Sequence, residues 1–516
     1  MTATTQSQIA AEENVTGSVP LASVAMLTDA LERASVRYCH WKSNNTLDQS
    51  GSGDKDIDIL VDRADSLKFS SVLSQCGFKF VHAPPDKQMP GVLDYFGYDA
   101  GSDKWVHVHA HYQLVAGHDF SKNYRLAIEQ PYLESSYLQG IFKVPKPEFE
   151  FIVFVTRMVL KHSTWYAIFS GEGRLKRAER EELLYLQTRV SRRQLNSILE
   201  QHLPYFGVTL FWNCVDSLAS DSSVWSRVKV GRRVENKFRA HARRTSYSDI
   251  ALKFTRRAIS AVRRRLHFPM PKYRFGSGGV AIAFVGGDGA GKSTAIDALR
   301  SWLSRDFITT CAHLGKPAWS PLTKGIRGVL KIGHWVGLYG AEASISETLN
   351  EKSLVSPGYA LIIREVCRAR DRYWTYVRSR QLAAKGGVVI FDRFPLAQVE
   401  LMDGPLIRRF VNDLTNSPGA GCFLRPRPAS WLVKCLIQLE ENYYKEIRSP
   451  DLLFVLRLDP DTAVQRKPEE KEFHVRERSM EIWELNWQDQ SAHVIEAARA
   501  KTEVLAEIKE LIWAHL

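Results

Sequence analysis

The stretch from residue 281 to residue 294 constrains the fold more than any other part of the chain. It reads Ala-Ile-Ala-Phe-Val-Gly-Gly-Asp-Gly-Ala-Gly-Lys-Ser-Thr. Five apolar residues predict a buried strand, a glycine-rich turn follows, and a helical pattern begins at Ser293. A buried strand that leads through such a turn into a helix is typical of an α/β domain with a parallel sheet.

The residue types in this turn fit the binding of a nucleoside triphosphate. Gly286, four further residues and then Gly291-Lys292-Ser293 match the phosphate-binding P-loop pattern. Glycines let main-chain N–H groups approach phosphate oxygens, and the N-terminus of the helix adds partial positive charge. We expect Lys292 to reach the β- and γ-phosphates of ATP and Ser293 to bind Mg²⁺. The predicted nucleotide-binding residues are Gly286, Gly287, Asp288, Gly289, Ala290, Gly291, Lys292, Ser293 and Thr294.

Length and charge divide the rest of the chain. At 516 residues, two or three domains are expected. The net charge of +13 is localised, because the segment from Arg227 to Arg274 contains sixteen Lys and Arg residues and only two acids. We predict a disordered tail at 1–18, an α+β domain at 19–144, a helical lobe at 145–225, a basic connector at 226–278 and an α/β domain at 279–516.

Composition favours a cytoplasmic protein. The first eighteen residues are polar and small and lack the features of a signal peptide. No apolar stretch approaches the roughly 20 residues that span a bilayer. The seven cysteines are scattered without a C-x-x-C pair, which indicates a reducing compartment without structural disulfides or zinc.

Residues 37 to 114 contain a second group of candidate site residues. Asp56 and Asp58 alternate on a predicted strand and therefore share one face, and Ser43 lies in the preceding turn. This region resembles uncharacterised nucleotidyltransferase-like domains, in which such residues hold a divalent metal against a triphosphate. The matching segments are 41–44, 56–63 and 106–112. Lys42 replaces a glycine of that family and His109 stands where a third acid is expected, so we predict weak transferase activity or none.

Three histidines at positions 107, 109 and 111 alternate along another predicted strand and share a face. A metal cluster is one interpretation, because imidazole suits zinc and similar ions. Neighbouring side chains on one strand are too far apart to form a tight site without outside ligands. A polar wall of the site is therefore the preferred interpretation.

Residues 249–266 within the basic connector predict an amphipathic helix. Its apolar stripe comprises Ile250, Phe254, Ile259, Val262 and Leu266. Three interpretations are open: the stripe packs on a neighbouring domain, the helix lies on an anionic membrane surface, or it binds nucleic acid. Nucleic acid is the least favoured, because no aromatic residues are interleaved with the basic ones.

The chain after the P-loop resembles the thymidylate kinases over about residues 279 to 516. The segments that carry the resemblance are 284–294, 320–322, 326–327, 369–372, 389–394, 450–459, 465–467 and 494–496. The resemblance implies a parallel sheet with flanking helices and ATP-dependent phosphorylation of a phosphorylated acceptor. The residues after Arg393 lack the family's serine and glutamine pattern for a pyrimidine, so the acceptor is open.

The resemblance also implies roles for individual residues. Lys292, Asp392 and Arg393 are the predicted catalytic residues, and Ser293 and Asp392 are expected at Mg²⁺. Asp288, Arg372 and Arg393 are the predicted acceptor-binding residues. The candidate lid charges are Arg466, Lys467, Arg476 and Arg478.

The preferred function is transfer of the γ-phosphoryl group of ATP, with Mg²⁺, to a phosphorylated small molecule. One alternative is a bifunctional kinase and nucleotidyltransferase that acts on a sugar phosphate for cell-surface polysaccharide assembly. Another is a regulator that binds ATP without phosphorylating a small acceptor. A homodimer is left open.

Overall fold

The computed structural model describes residues 19–89, 91–336, 359–396, 398–399, 404–408, 430–487 and 491–516, apart from the side chains of His334 and Leu361. The predicted disordered tail at 1–18 lies outside these ranges. The chain forms two compact units that divide between Tyr273 and Arg274.

The first unit is built on a mixed sheet with strand order β1-β2-β5-β4-β3. Strands β2 and β5 are parallel, whereas the other neighbouring pairs are antiparallel. Two short hairpins follow the sheet, β6 with β7 and β8 with β9. The strands are β1 (Tyr38–His40), β2 (Ile57–Val61), β3 (Lys79–His82), β4 (Val92–Asp99), β5 (Lys104–His111), β6 (Leu114–Ala116), β7 (Tyr124–Leu126), β8 (Tyr137–Gln139) and β9 (Phe142–Val144).

Helices make up most of the rest of this unit. They are α1 (Ala22–Arg33), α2 (Leu47–Gly51), α3 (Ser66–Gln75), α4 (Glu129–Glu134), α5 (Pro147–His162), α6 (Trp165–Phe169), α7 (Arg177–Gln187), α8 (Arg192–His202), α9 (Val208–Ser217), α10 (Val224–Lys237) and α11 (Ser246–Arg265). Single 3-10 turns lie at Asn44–Thr46, Arg63–Asp65 and Arg239–His241.

Two apolar clusters stabilise the first unit on opposite faces of its sheet. Helices α1 and α3 pack on one face, against alternate residues of β2 and β5 such as Ile57 and Val108. The helical lobe forms the other cluster around α5, of which thirteen of sixteen residues are buried. Because side chains alternate along a strand, the residues of β5 that do not face α1 and α3 point toward the lobe side.

The predicted basic connector is not a separate segment, because its part up to Tyr273 belongs to the first unit. Helix α10 buries Val228, Val230 and Val234, and two of them lie in the core of the helical lobe. The high density of positive charge suggested a linker, but Val230 and Val234, which are one helical turn apart, lie in the core of the helical lobe.

Helix α11 presents its apolar stripe to solvent and packs through its polar face. The five stripe residues are 43% to 59% exposed. The residues buried along the helix are Asp249 and Lys253, whose charged atoms lie 2.6 Å apart. Arg256 and Arg257 donate hydrogen bonds to the carbonyl oxygens of distant loops. Within the first unit the stripe is therefore about half exposed, and its packing on another domain stays a prediction.

The second unit contains a parallel five-stranded sheet with the order β12-β13-β11-β14-β15. Its strands are β11 (Val280–Gly286), β12 (Thr309–His313), β13 (Val388–Asp392), β14 (Leu452–Arg457) and β15 (Ala492–Glu496), after a two-residue strand β10 (Arg274–Phe275). Its helices are α12 (Lys292–Ser304), α13 (Pro321–Trp335), α14 (Tyr359–Ala384), α15 (Trp431–Lys445), α16 (Pro460–Arg466), α17 (Glu472–Glu484) and α18 (Lys501–His515).

Strand β11 is the centre of this sheet, and all seven of its residues are buried. Its continuous apolar sequence suits a strand that is covered on both faces by helices. The turn after β11 therefore lies at the carboxyl edge of the sheet, next to the end of β13. Within the described ranges, no helix is long and apolar enough to cross a membrane.

The membrane-surface interpretation of α11 stays a prediction, and it can be tested with vesicles. If the stripe enters a lipid interface, the protein should sediment with anionic vesicles and be released by salt. Phe254→Ser with Val262→Ser should abolish sedimentation, and Arg264→Gln with Arg265→Gln should weaken it by about 1 kcal/mol per charge. Leu184→Ser, at another exposed apolar position, is the matched control. Absence of sedimentation, or equal sedimentation with neutral vesicles, contradicts this interpretation.

Candidate functional site

The glycine-rich turn of the second unit links β11 to α12 and has little room for side chains. A Cβ atom on Gly287 would lie 2.5 Å from the Ser479 hydroxyl oxygen. Gly291 has a φ of 84°, in the left-handed region, and forms the N-cap of α12. The helix therefore begins at Lys292, and its first N–H groups point toward the turn. An N-terminus of this kind carries partial positive charge and is suited to an anion.

Lys292 places a positive charge inside the turn. The residue is only 8% exposed, and its ammonium donates to the carbonyl oxygens of Gly286 and Gly287, each at 2.8 Å. Burial lowers the pKa of Lys292 to about 8; the carboxylate of Asp288 opposes this shift and the guanidinium of Arg393 adds to it. An ammonium group has three N–H donors, so two hydrogen bonds leave one donor for an anion.

Asp392 and Arg393 follow at the end of β13, beside the turn. The main chain of Asp392 is anchored by parallel pairing with Phe284 of β11, and its carbonyl oxygen accepts from Leu314. Arg393 has a φ of 56°, which is uncommon for a residue with a side chain. Among the described residues, its guanidinium has no hydrogen-bond or salt-bridge partner. The charges of Asp392 and Arg393 both act on Lys292.

Asp288 lies in the turn and is paired with a residue of α17. Its carboxylate accepts from the Arg478 guanidinium at 2.9 Å. Burial alone would raise the pKa of Asp288, but the hydrogen bond from Arg478 and the charge of Lys292 lower it below its usual range. The turn and the predicted lid segment are therefore connected by a charged pair.

The other predicted lid charges differ in how near they lie to the turn. The Arg466 guanidinium lies 3.5 Å from the Gly289 carbonyl oxygen, and the Lys467 side chain also lies against Gly289. Arg476 instead pairs with Asp461 and Glu472. Ser293 and Thr294 are exposed in the first turn of α12.

Arg372 occupies a structural position in α14. It is 2% exposed, and its guanidinium donates to the Leu314 carbonyl oxygen at 2.6 Å and to the Tyr444 hydroxyl. These bonds hold the loop after β12, which in turn contacts the main chain of Asp392. The sequence offered no signal for them, since a carbonyl oxygen is present at every residue.

In the first unit, strand pairing brings the predicted aspartates and histidines together. Asp58 pairs in register with His109 of β5, and the Asp56 carboxylate lies 3.2 Å from a His107 nitrogen. His109 occupies the position where a third acid was expected on β5, and the carboxylate of Asp94, on the neighbouring strand β4, lies in register with it. The hairpin turn around Gly101 would have indicated this register.

The charges within this cluster balance one another. Burial opposes ionisation of Asp58, but the Lys42 ammonium at 2.8 Å helps to hold its pKa well below the usual range. Burial would also lower the pKa of His107, yet hydrogen bonds with Asp56 and Asp94 raise it to about 9. Burial lowers the pKa of His111 to about 3.

Ser43, the third residue of the predicted second site, contacts the helical lobe. Its main-chain N–H donates to a Glu182 carboxylate oxygen at 3.1 Å, and its hydroxyl lies 3.4 Å from the other oxygen. Ser43 has a positive φ of 58° at this contact.

Comparisons with known proteins find distant relatives. No protein-family model matches the chain. The uncharacterised ATP-binding protein YghR of Escherichia coli strain K12 is 25% identical to it over 247 residues, which are 47% of this chain and 89% of that protein. The protein of the same name from Escherichia coli O6:H1 strain CFT073 aligns to the same extent. The structure of deoxyadenosine kinase from M. mycoides with bound dATP covers 45% of this chain and 97% of that one, with 17% identity and a TM-score of 0.26, too low to support an argument.

Proposed function

We propose that the second unit is an ATP- and Mg²⁺-dependent phosphotransferase that resembles the thymidylate and nucleoside monophosphate kinases and acts on a phosphorylated small molecule. The observation that carries the proposal is the buried Lys292 ammonium, held by two carbonyl oxygens of the turn at the N-terminus of α12. A buried cation at this point suits the β- and γ-phosphates of ATP. The ATP-binding name of the Escherichia coli relatives adds support.

The residues around Lys292 suit a metal-bound triphosphate. The exposed Ser293 hydroxyl and the partly exposed Asp392 carboxylate are oxygen donors of the kind that Mg²⁺ prefers. When bound, Mg²⁺ would neutralise charge on the phosphates. Lys292 and the N–H groups of the turn would orient the phosphate chain, and such fixed positive groups stabilise the charge of the transferring phosphoryl group.

Arg393 suits an acceptor phosphate. Its guanidinium lacks a protein partner within the described ranges, although it lies close enough to Lys292 to influence its charge. A planar guanidinium can bind a phosphate through two parallel hydrogen bonds. The positive φ costs backbone energy, of order 1 kcal/mol or more, and such costs are typical of functional positions.

Three variants separate the proposed roles. Lys292→Ala should abolish phosphoryl transfer, because loss of one preorganised cation typically costs about 3 kcal/mol or more of transition-state stabilisation. Asp392→Asn should also abolish turnover, because it removes a carboxylate ligand of Mg²⁺. Arg393→Ala should bind ATP normally but lose acceptor-dependent turnover. ATP affinity by calorimetry and turnover in an acceptor screen with labelled ATP measure the two properties separately.

Arg380→Ala is the matched control, because this arginine pairs with Asp451 at the amino end of β14, the opposite edge of the sheet from the turn. Wild-type turnover by Arg393→Ala would contradict the proposed role of Arg393 in binding the acceptor phosphate. If the parent protein bound ATP but gave no acceptor-dependent turnover across the screen, the regulator alternative would replace the kinase.

The lowered pKa of Lys292 predicts that ATP binding depends on pH. With a pKa of about 8, the amine is half neutral at pH 8, whereas phosphates favour its charged form. ATP binding at pH 8 should therefore take up about half a proton, and affinity should fall as the pH rises further.

Calorimetry at pH 8 in two buffers with different ionisation enthalpies measures this proton uptake. Lys292→Arg keeps its charge throughout and should show no uptake at this site. Identical binding enthalpies in the two buffers for the wild-type protein would contradict the prediction.

A further inference from the structure

Asp56, Asp58, Asp94, His107 and His109 form a cluster in the first unit, referred to below as the Asp/His cluster. Hydrogen bonds alone cannot satisfy all the polar atoms of this cluster well. Both nitrogens of His107 face carboxylates, Asp56 at 3.2 Å and Asp94 at 3.1 Å. Both nitrogens of His109 do the same, since Nδ1 lies 3.3 Å from Asp58 and Nε2 lies 3.3 Å from Asp94.

A neutral imidazole can donate from one nitrogen only, and its other nitrogen carries a lone pair. In any ring that stays neutral, one lone pair would then face a carboxylate oxygen, which is an unfavourable contact. For all four nitrogen–carboxylate contacts to be hydrogen bonds, both rings would have to be imidazolium cations. Their ring centroids are 4.2 Å apart. Like charges at this distance repel each other. A cation between one nitrogen of each ring and a carboxylate removes both conflicts.

The ligand atoms of Asp56, His107 and His109 are close enough to share one ion. They all lie within 4.8 Å of one another. Ligands at zinc–nitrogen and zinc–oxygen distances on a tetrahedral ion are separated by about 3.4 Å. The His107 to Asp56 distance of 3.2 Å is near this value, and the His109 Nε2 to Asp56 distance is 4.0 Å. Small side-chain rotations bring the three groups to one ion.

We propose that Asp56, His107 and His109 bind one divalent first-row transition-metal ion of the zinc class. His107 binds through Nδ1 and His109 through Nε2. The remaining N–H of His107 donates to Asp94 and that of His109 donates to Asp58, so that both rings are neutral and fully satisfied. Metal-binding histidines usually donate their other N–H to a carboxylate in this way.

The ligand set selects against Mg²⁺ and leaves the ion accessible. Two imidazole nitrogens and one carboxylate suit zinc, cobalt or iron, whereas Mg²⁺ prefers oxygen ligands. Asp58 is less suitable as a ligand than the sequence suggested, because it is buried and paired with Lys42 at 2.8 Å. The Asp56 side chain is 53% exposed, so a position on the ion opens toward solvent. Three protein ligands with one open position are typical of catalytic zinc sites.

The test is metal binding by the full chain, after treatment with a chelator and without nucleotide. In excess Mg²⁺, the protein should take up one Co²⁺ with visible ligand-field absorption, and Zn²⁺ should displace it. His109→Gln and Asp56→Asn should each weaken Zn²⁺ affinity by at least about 100-fold, and Asp94→Asn, which alters a positioning residue, by roughly 10- to 100-fold.

Two control variants separate this site from others. His82→Gln changes an exposed histidine of the same sheet, and Lys292→Ala changes the P-loop; both should bind Zn²⁺ as the parent does. Circular dichroism checks that each variant is folded. Asp56→Asn should disturb the fold least, because the Asp56 side chain is 53% exposed. Absence of Co²⁺ uptake in excess Mg²⁺, or unchanged Zn²⁺ affinity in folded Asp56→Asn, overturns the proposal.

Discussion

The second unit depends on the burial of one cation, the ammonium of Lys292. Two carbonyl oxygens of the glycine-rich turn hold it at the point where α12 begins. A buried charge is costly unless it is fully hydrogen-bonded, and here the hydrogen bonds come from the main chain of the turn itself. The central strand β11 orients that turn, and the neighbouring strand β13 brings Asp392 and Arg393 beside it. The proposed chemistry follows from this placement.

The first unit also buries charged groups, and these lie close to one another. Asp249 and Lys253 form a pair on the buried face of α11, which leaves the apolar stripe exposed. The cluster around His109 brings carboxylates and imidazoles together from three strands. In α11 the polar side of the helix faces protein, opposite to the usual arrangement, whereas β5 has apolar side chains in the core on one face and the histidines on the other.

Periodic and motif-bearing segments could be predicted from the sequence to within a few residues. The strand expected at 281–285 spans Val280–Gly286, and the amphipathic helix expected at 249–266 spans Ser246–Arg265. Local pattern determines these elements. Within the helical lobe expected at 145–225, the chain turns near Ser191 between α7 and α8. The Ser191 N–H donates to Glu148, a distant partner that local pattern cannot reveal.

The orientation of elements and the partners of charged residues could not be predicted in the same way. The polar face of α11 packs because Arg256 reaches the Phe120 carbonyl oxygen, 136 residues away in sequence. Arg372 resembled an acceptor ligand, yet it binds carbonyl oxygens after β12. Asp94 was missed because its role depends on a hairpin register. Every residue has a main-chain carbonyl oxygen, so the sequence does not indicate which of them accepts a hydrogen bond. These contacts can be identified only in the folded structure.

The central claim is that the turn around Lys292 binds the phosphate chain of ATP, and a series of ligands tests it directly. Calorimetry would compare ATP, AMP, adenosine and inorganic tripolyphosphate on the full chain with Mg²⁺. If the turn is the site, ATP binds far more tightly than adenosine, and tripolyphosphate displaces ATP. Because each tenfold difference in affinity corresponds to about 1.4 kcal/mol, a gap of at least 100-fold is expected from several charged contacts. Equal affinities for adenosine and ATP, or failure of tripolyphosphate to compete, would contradict the account.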